Sequence, residues 1–166
     1  MDKAVGLDPK AHLRYRGWCR FQFFRDYEGA IKDIERLDSL FVSDIGYSQN
    51  GTYHLKVALG LCYKMLGNTD KAISLISEQI KKNEEINFVG EYDYLHLGVL
   101  YLHKGAYEKA LWAFQSQSKE SELSENQYYL ALTYKALQQT ENFRNAILKA
   151  KELEIANAQN SQYTRE

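Results

Sequence analysis

The sequence predicts an all-α fold made of antiparallel helix pairs, and three observations support this prediction. Strong helix formers occur throughout the 166 residues, with a single proline to interrupt helices. Apolar side chains recur at four-residue steps, as at Leu55, Leu59 and Tyr63, which places them on one face of a helix. A nine-residue step between an aromatic and a later apolar residue occurs four times, from Phe21 to Ala30, Tyr63 to Ala72, Tyr101 to Ala110 and Tyr134 to Phe143.

Two segments extend this step into one longer pattern. A leucine–glycine pair precedes the aromatic residue, and an apolar residue follows the alanine by four positions. The residues are Leu59, Gly60, Tyr63, Ala72 and Ile76 in one segment, and Leu97, Gly98, Tyr101, Ala110 and Phe114 in the other. This pattern resembles the helix–turn–helix unit of the tetratricopeptide repeat (TPR) family. The resemblance implies a TPR-like superhelix, a right-handed α-solenoid of antiparallel helix pairs whose concave surface binds proteins.

A single TPR-like domain is predicted over residues 1–166. Residues 1–9 either belong to a preceding repeat, as the spacing from Ala4 to Pro9 permits, or form a frayed N-terminus with Pro9 opening the first helix. The equivalent aromatics are 42, 38 and 33 residues apart, against about 34 in the family, so extra residues are expected in irregular loops at 42–51 and 83–90. The predicted repeats cover about 10–41, 52–83, 90–119 and 124–157.

Small residues at equivalent places are predicted to mark the crossing points of the helix pairs. Gly60 and Gly98 each lie where a larger side chain would hold two helices apart. A glycine within a helix costs about 1 kcal/mol relative to alanine, so a repeated one indicates a packing role. In the first repeat the spacing assigns this position to Trp18, with Gly17 one residue earlier.

Composition and charge narrow the classes of partner. The formal net charge is −1 and the isoelectric point is about 6.4, so the sequence has no basic footprint for nucleic acid or an anionic membrane surface. No apolar run approaches the ~18–20 residues of a transmembrane helix, and the N-terminal residues lack the apolar core of a signal peptide. We therefore expect no nucleic-acid binding, no membrane insertion and a cytoplasmic location.

The sequence contains no motif that predicts catalysis or a cofactor. It has no glycine-rich phosphate loop, nucleophile elbow or zinc-protease helix motif. His96 and His103 share a helix face, but seven residues of helix separate them by about 10 Å, too far for one metal ion. His12 and Cys19 are equally far apart, and Cys62 is interpreted as a buried apolar residue. We expect a non-enzymatic protein with no cofactor and no metal site.

The TPR resemblance implies that the face of each first helix not used for packing lines the concave groove. An aromatic-rich groove suits an extended or helical protein segment. The TPR subfamily that binds chaperone tails presents Lys, Asn and Arg there, which disfavours such a tail here because the corresponding residues are Tyr15, Cys19, Ala58, Tyr92 and His96. The predicted peptide-binding residues are Tyr15, Arg16, Cys19, His54, Val57, Leu61, Lys64, Tyr92, Leu95, His96, Val99, His103, Tyr128, Tyr129, Leu132 and Lys135.

Other interpretations stay open at this point. The aliphatic members of the groove set, Val57, Leu61, Leu95 and Val99, are also the residues expected to pack between repeats. The alternative function is a structural assembly unit that uses exposed solenoid ends, by forming a homodimer or by docking to flanking repeats of a longer parent protein. The apolar residues expected at one end are Ile147, Leu148, Leu153 and Ile155. A third hypothesis is a small-molecule or metal binder.

Overall fold

The computed structural model describes residues 1–163, with side chains described through Asn157. Every regular element in this part of the chain is a helix, apart from one isolated β-bridge between Tyr47 and His54. A π-helical turn, Arg20–Phe24, continues the second helix. The α-helices are α1 Asp2–Leu7, α2 Pro9–Cys19, α3 Tyr27–Leu40, α4 Leu55–Met65, α5 Thr69–Glu85, α6 Asp93–His103, α7 Tyr107–Glu120, α8 Ser124–Ala136 and α9 Thr140–Tyr163.

The chain divides into two compact units. The first, Met1–Asp93, holds α1 to α5, and the second begins at Tyr94 and holds nearly all of α6 together with α7 to α9. In the first unit α2 packs against α3, α4 packs against α5, and α3 also contacts α4. In the second unit α8 packs against both α7 and α9, and Gly98 on α6 lies against Phe114 on α7. Each unit is therefore built from helix pairs.

The N-terminal residues form a short helix that packs on the first helix pair. Val5 on α1 is buried, and Asp2 forms an ion pair with Arg16 on α2 at 2.7 Å. Pro9 occupies the first turn of α2, where its missing amide hydrogen is not needed. Asp8 caps this helix by accepting a hydrogen bond from a backbone amide of the first turn at 3.1 Å. Pro9 therefore begins α2, but residues 2–7 are helical and not frayed, and their assignment to a preceding repeat stays a prediction.

Close helix crossings occur at the predicted glycines. A Cβ atom added to Gly60 would lie 2.7 Å from Ile76 Cγ1 and 3.3 Å from the carbonyl oxygen of Ala72. At Gly98 it would overlap the ring of Phe114, which is fully buried on α7. The helices of these two pairs therefore approach too closely for any side chain at the crossing, as predicted.

The first helix pair has a different register. Gly17, and not Trp18, takes the crossing position, because a Cβ atom at Gly17 would lie 3.0 Å from Ile34 Cγ1 on α3. The assignment of Trp18 to this position is wrong by one residue. The π-helical turn that follows α2 accommodates one more residue than an α-helical turn, which shifts the spacing. Trp18 is instead buried against Phe21 and Tyr53, with ring centroids 5.5 and 6.0 Å away.

The two longer links are irregular, as their length predicts. Residues 41–54 contain no helix, and Ile45 from this segment is fully buried. The Ser48 amide donates to the carbonyl oxygen of Tyr53 at 2.7 Å, so the link folds back on itself. The second irregular segment covers 86–92 and begins later than predicted, because α5 continues into it.

Candidate protein-interaction surface

Two of the predicted binding residues on α2 serve the packing of the first helix pair. Arg16 forms a two-point ion pair with Asp33 on α3, with Nε 2.8 Å and Nη2 2.5 Å from the two carboxylate oxygens. Arg20 adds a contact at 3.0 Å, so two guanidinium groups neutralise this buried carboxylate. The hydrogen bond with Asp33 is the main cause of the raised pKa of Arg16. Cys19 is buried, and the one-residue register shift accounts for both placements.

Three predicted binding residues of the first unit reach solvent. Tyr15 on α2 is half exposed, and the hydrogen bond between its hydroxyl group and the Cys19 thiol raises the pKa of Tyr15. Lys64 on α4 and Tyr92 just before α6 are partly exposed. These three side chains have solvent-accessible surface and remain candidates for binding.

His54 caps α4 and lies beneath the link between α3 and α4, residues 41–54. It is almost fully buried, its Nδ1 accepts from the Lys56 amide at 3.1 Å, and its Nε2 donates to Asp44 Oδ1 at 2.7 Å. The ring of Tyr47 meets the His54 ring edge-on, with centroids 5.0 Å apart. Burial lowers the pKa of His54 although Asp44 opposes this, so the neutral form with its proton on Nε2 fits both hydrogen bonds. His54 therefore holds the link against α4.

The aliphatic members of the predicted set are buried. Val57 and Leu61 on α4 are buried, and so are Leu95 and Val99 on α6. Buried aliphatic side chains at helical spacing are normally core residues. These four positions therefore match the alternative interpretation, in which they pack.

In the second unit the predicted binding residues that reach solvent lie mainly on α8. Tyr128 is about half exposed and meets Tyr129 edge-on, with ring centroids 5.7 Å apart. Tyr129 in turn stacks on the buried ring of Phe114 at 5.8 Å, and burial raises the pKa of Tyr129. Leu132 is partly buried one turn further on, and Lys135 is exposed near the end of the helix. Tyr128 is therefore an exposed aromatic side chain beside Tyr129, which packs against the buried ring of Phe114.

Buried amide side chains join the helices of the second unit. Asn126 Nδ2 donates to the carbonyl oxygen of Phe114 and to Ser118 Oγ, both at 2.9 Å, which joins α8 to α7. Gln117 Oε1 accepts from the Leu95 amide at 2.9 Å, which joins α7 to α6. Sequence reasoning missed both residues because asparagine and glutamine on a helix are mostly exposed. The available signal was their position on the same helix faces as the apolar core residues.

An open groove runs between α8 and α9. Its volume is about 430 Å³ and its walls are mostly apolar. The Ser124 hydroxyl donates to Glu154 Oε2 at 3.0 Å, which joins the two helices beside the groove. Tyr128 was predicted for the concave groove and Ile147 for a solenoid end, and the tertiary structure brings the two into one surface. The residues lining the groove are Ser124, Glu125, Tyr128, Ile147, Ala150, Lys151 and Glu154.

Two further features concern metal ions and membranes. Among the residues that the structure describes, no group of three or more histidine, cysteine or acidic side chains could hold a metal ion. On α6 His103 is exposed and His96 is partly buried. No helix in the described part of the chain is long and apolar enough to cross a membrane.

The fold matches those of several solved structures. A crystal structure of MamA aligns with a TM-score of 0.80, at 18% sequence identity, over 95% of this chain and 86% of MamA. A second MamA structure aligns with a TM-score of 0.72, at 19% identity, over 95% of this chain and 81% of the other. BtubC (BKLC) from P. vanneervenii aligns with a TM-score of 0.67, at 18% identity, over 80% of this chain and 58% of BtubC.

These likenesses define the class of fold. The matching structures are TPR-like helical-repeat proteins, so the predicted all-α, TPR-like solenoid of antiparallel helix pairs is confirmed. No protein-family model and no curated protein sequence matches this chain, so membership of the TPR family itself stays a prediction.

Proposed function

We propose that this chain is a protein-interaction module with a binding rather than a catalytic role, and that α8 and α9 carry its main binding groove. The observation that carries the proposal is the open, mostly apolar groove containing Tyr128, Ile147 and Ala150. Concave surface that is mostly apolar with a few polar side chains is typical of binding sites. Tyrosine is also among the residue types that contribute most to binding at protein interfaces.

The packing inside the second unit supports a helix as the ligand. α8 packs against α7 through the stacked rings of Tyr129 and Phe114 and through Asn126, so a helix already docks beside a helix pair within this unit. The α8–α9 pair presents a groove between two helices, which accepts the apolar stripe of a third helix. The proposed ligand is therefore an amphipathic helix of a partner protein.

The charges at the edge of the groove favour a basic partner helix. Glu125 and Glu154 line the groove together with Lys151, which leaves one carboxylate in excess. Complementary charge around an apolar contact contributes mainly to specificity and to the rate of association. A partner helix with lysine or arginine beside its apolar stripe would suit this edge.

The solvent-accessible members of the predicted concave set support additional recognition within each unit. In the first unit these are Tyr15, Lys64 and Tyr92, and in the second they are His103 and Lys135 in addition to the groove residue Tyr128. Their buried counterparts have no surface to offer a partner. We therefore assign peptide contact to this exposed subset.

A selection from a displayed library of amphipathic helices tests the groove. Selected peptides should lose about tenfold or more in affinity for Tyr128→Ala, because an aromatic hot-spot residue contributes about 2 kcal/mol or more. Ile147→Asp should weaken them similarly, whereas Leu148→Asp should not, because Leu148 is exposed on α9 and does not line the groove. Calorimetry with each variant decides the matter, and equal losses from the two aspartate variants would count against the groove.

A second candidate function is assembly of copies of this chain through α9. Leu148 and Ile155 on this helix are 57% and 60% exposed, and their seven-residue spacing places both on one face of α9. Sedimentation should then show a dimer that forms with increasing concentration and that Leu153→Glu weakens. A chain that stays monomeric at high concentration would exclude this candidate and leave the peptide groove unaffected.

A further inference from the structure

A second cavity lies within the first unit, where the long link meets α3, α4 and α5. Its volume is about 410 Å³, and small-molecule sites in proteins usually measure about 300–1,000 Å³. None of its residues belongs to the predicted peptide-binding set. The lining residues are Asp38, Ser43, Asp44, Tyr47, Lys56, Gln79, Lys82, Asn83 and Ile86.

Asp44 supplies this cavity with a carboxylate whose hydrogen-bond partner carries no charge. That partner is His54, whose Nε2 lies 2.7 Å away. Burial lowers the pKa of His54, so the imidazole stays neutral and does not cancel the negative charge. Burial of Asp44 disfavours its ionised form, but the hydrogen bond from His54, the charge interaction with His54 in its protonated form, and hydrogen bonds from the Gly46 and Ile45 amides together outweigh burial and lower the pKa of Asp44. The Asp44 side chain is 62% exposed, so it can accept a hydrogen bond from a ligand.

Two lysine ammonium groups line the same cavity. Lys56 is held by Asp38 in a close ion pair. Lys82 pairs with Glu78 at 2.7 Å, one helical turn away on α5, and both of these side chains are more than half exposed. The hydrogen bond with Glu78 raises the pKa of Lys82, so it stays an ammonium ion. Exposed pairs of this kind contribute little to stability, so Lys82 is available to a second anion.

Fixed amide groups line the cavity beside these charges. Gln79 Nε2 donates to Asn83 Oδ1 at 2.8 Å, and Asn83 Nδ2 donates to Asp93 Oδ2 at 3.4 Å. Both amide side chains are buried, which limits their freedom to rotate. Ile86 adds an apolar and largely exposed side chain to the lining. The cavity therefore combines both signs of charge with oriented polar groups and one apolar wall.

We propose that this cavity binds a small zwitterion of the amino-acid type, a free amino acid or a short peptide. Its ammonium group contacts Asp44, and its carboxylate contacts Lys82. The two carboxylates and two ammonium groups of the lining cancel, so a neutral ligand with separated charges suits the cavity better than an ion of one sign. This binding function is separate from recognition of a partner helix by α8 and α9.

Magnetic-resonance titration of the isotope-labelled protein tests the proposal. The probes are the standard amino acids and glycylglycine, each at millimolar concentration. At least one should shift the backbone signals of residues 43–47 and 79–86. Its N-acetylated and C-amidated forms should each bind about threefold or more weakly, as expected for losing one exposed charge contact. If no probe shifts these signals, or if both blocked forms bind as well as the parent compound, the proposal is overturned.

Charge-removing variants provide an independent test with the same probe. Asp44→Asn and Lys82→Gln should each weaken binding about threefold or more, while Lys81→Gln should leave it unchanged. Lys81 is the exposed neighbour of Lys82 on α5 and does not line the cavity, so it is a matched control. Thermal midpoints establish that each variant is folded, and Lys82→Gln keeps the test decisive if Asp44→Asn unfolds. Equal losses for Lys81→Gln and Lys82→Gln would overturn the assignment.

Discussion

The side-chain nitrogen of Asn126 on α8 lies 2.9 Å from the carbonyl oxygen of Phe114 on α7 and donates a hydrogen bond to it. The same nitrogen donates to Ser118 Oγ at 2.9 Å, and Asn126 is fully buried. A helix can rotate about its axis on an apolar surface, but a buried hydrogen bond to a neighbouring backbone allows one orientation only. Asn126 therefore sets the direction in which Tyr128, two residues further on, faces solvent.

Replacing Asn126 by alanine should destabilise the protein. Loss of a buried hydrogen bond that leaves its partner unsatisfied costs about 1–3 kcal/mol. Urea denaturation measures this change. Asn142→Ala is the control, because Asn142 is exposed on α9 and donates a hydrogen bond to Gln139, three residues away, so its effect should stay within about 0.5 kcal/mol. Equal midpoints for the two variants would show that Asn126 does not orient α8.

Replacing Gly98 by leucine should destabilise the crossing of α6 and α7. The ring of Phe114 already occupies the space that a Cβ atom would need, and overpacking a core costs about 1–3 kcal/mol or more. Gly6→Leu is the matched control, since among the described residues no atom beyond its own stretch of helix lies within 4 Å of a Cβ atom built there. Thermal denaturation compares the two variants. An unchanged midpoint for Gly98→Leu would contradict the close crossing.

Asp93 should make folding stability depend on pH. Its Oδ2 accepts from the Gly90 amide at 3.1 Å and from Asn83, whereas its Oδ1 is buried with no hydrogen-bond partner among the described residues. Burial raises the pKa of Asp93 despite these hydrogen bonds. Because the folded pKa lies above the unfolded value of about 3.9, this stability contribution is complete below about pH 4 and is lost as pH rises through the folded pKa.

Urea denaturation across the acid range measures this contribution through Asp93→Asn, which has no proton to lose. The stability of the natural protein relative to the variant should fall as pH rises above about 4 and then level off. Glu141→Gln, which alters an exposed carboxylate on α9, should instead follow the natural protein in parallel. If the stability of Asp93→Asn and that of the natural protein changed in parallel with pH, the carboxyl group of Asp93 would not be stabilised in its protonated form.

The repeated elements could be predicted from the sequence because local rules specify them. A four-residue apolar period requires a helix with one buried face, and a glycine at the same place in two repeats requires a close crossing. The structure has these features at Gly60 and Gly98. The register of the first pair could not be predicted in this way, because the extra residue between Gly17 and Phe21 does not show by itself that a π-helical turn accommodates it. That turn depends on how Gly17 and Trp18 pack against α3 and the link.

The residues of the candidate surface show the same difference between what local sequence predicts and what the tertiary structure decides. Residue type identified Tyr128 as a binding candidate, and the structure leaves it exposed beside the groove. Arg16 and His54 have equally suitable chemistry, yet the fold uses one to neutralise Asp33 and the other to cap α4. Arg16 meets Asp33, 17 residues away, only when α2 and α3 have packed, and His54 meets Asp44, 10 residues away, only when the link between α3 and α4 has folded.

By itself the sequence determined the all-α class, the helix pairs and the close crossings, because each depends on contacts within one repeat. Only the tertiary structure decided which polar side chains are buried, where the π-helical turn falls, and which side chains line a common cavity. Tyr128 and Ile147 share a groove, and Asp44 and Lys82 share another, although 19 and 38 residues separate them in the sequence. Residues so far apart in the sequence come together because of how each helix is rotated and where a link runs. Many contacts between distant residues determine both.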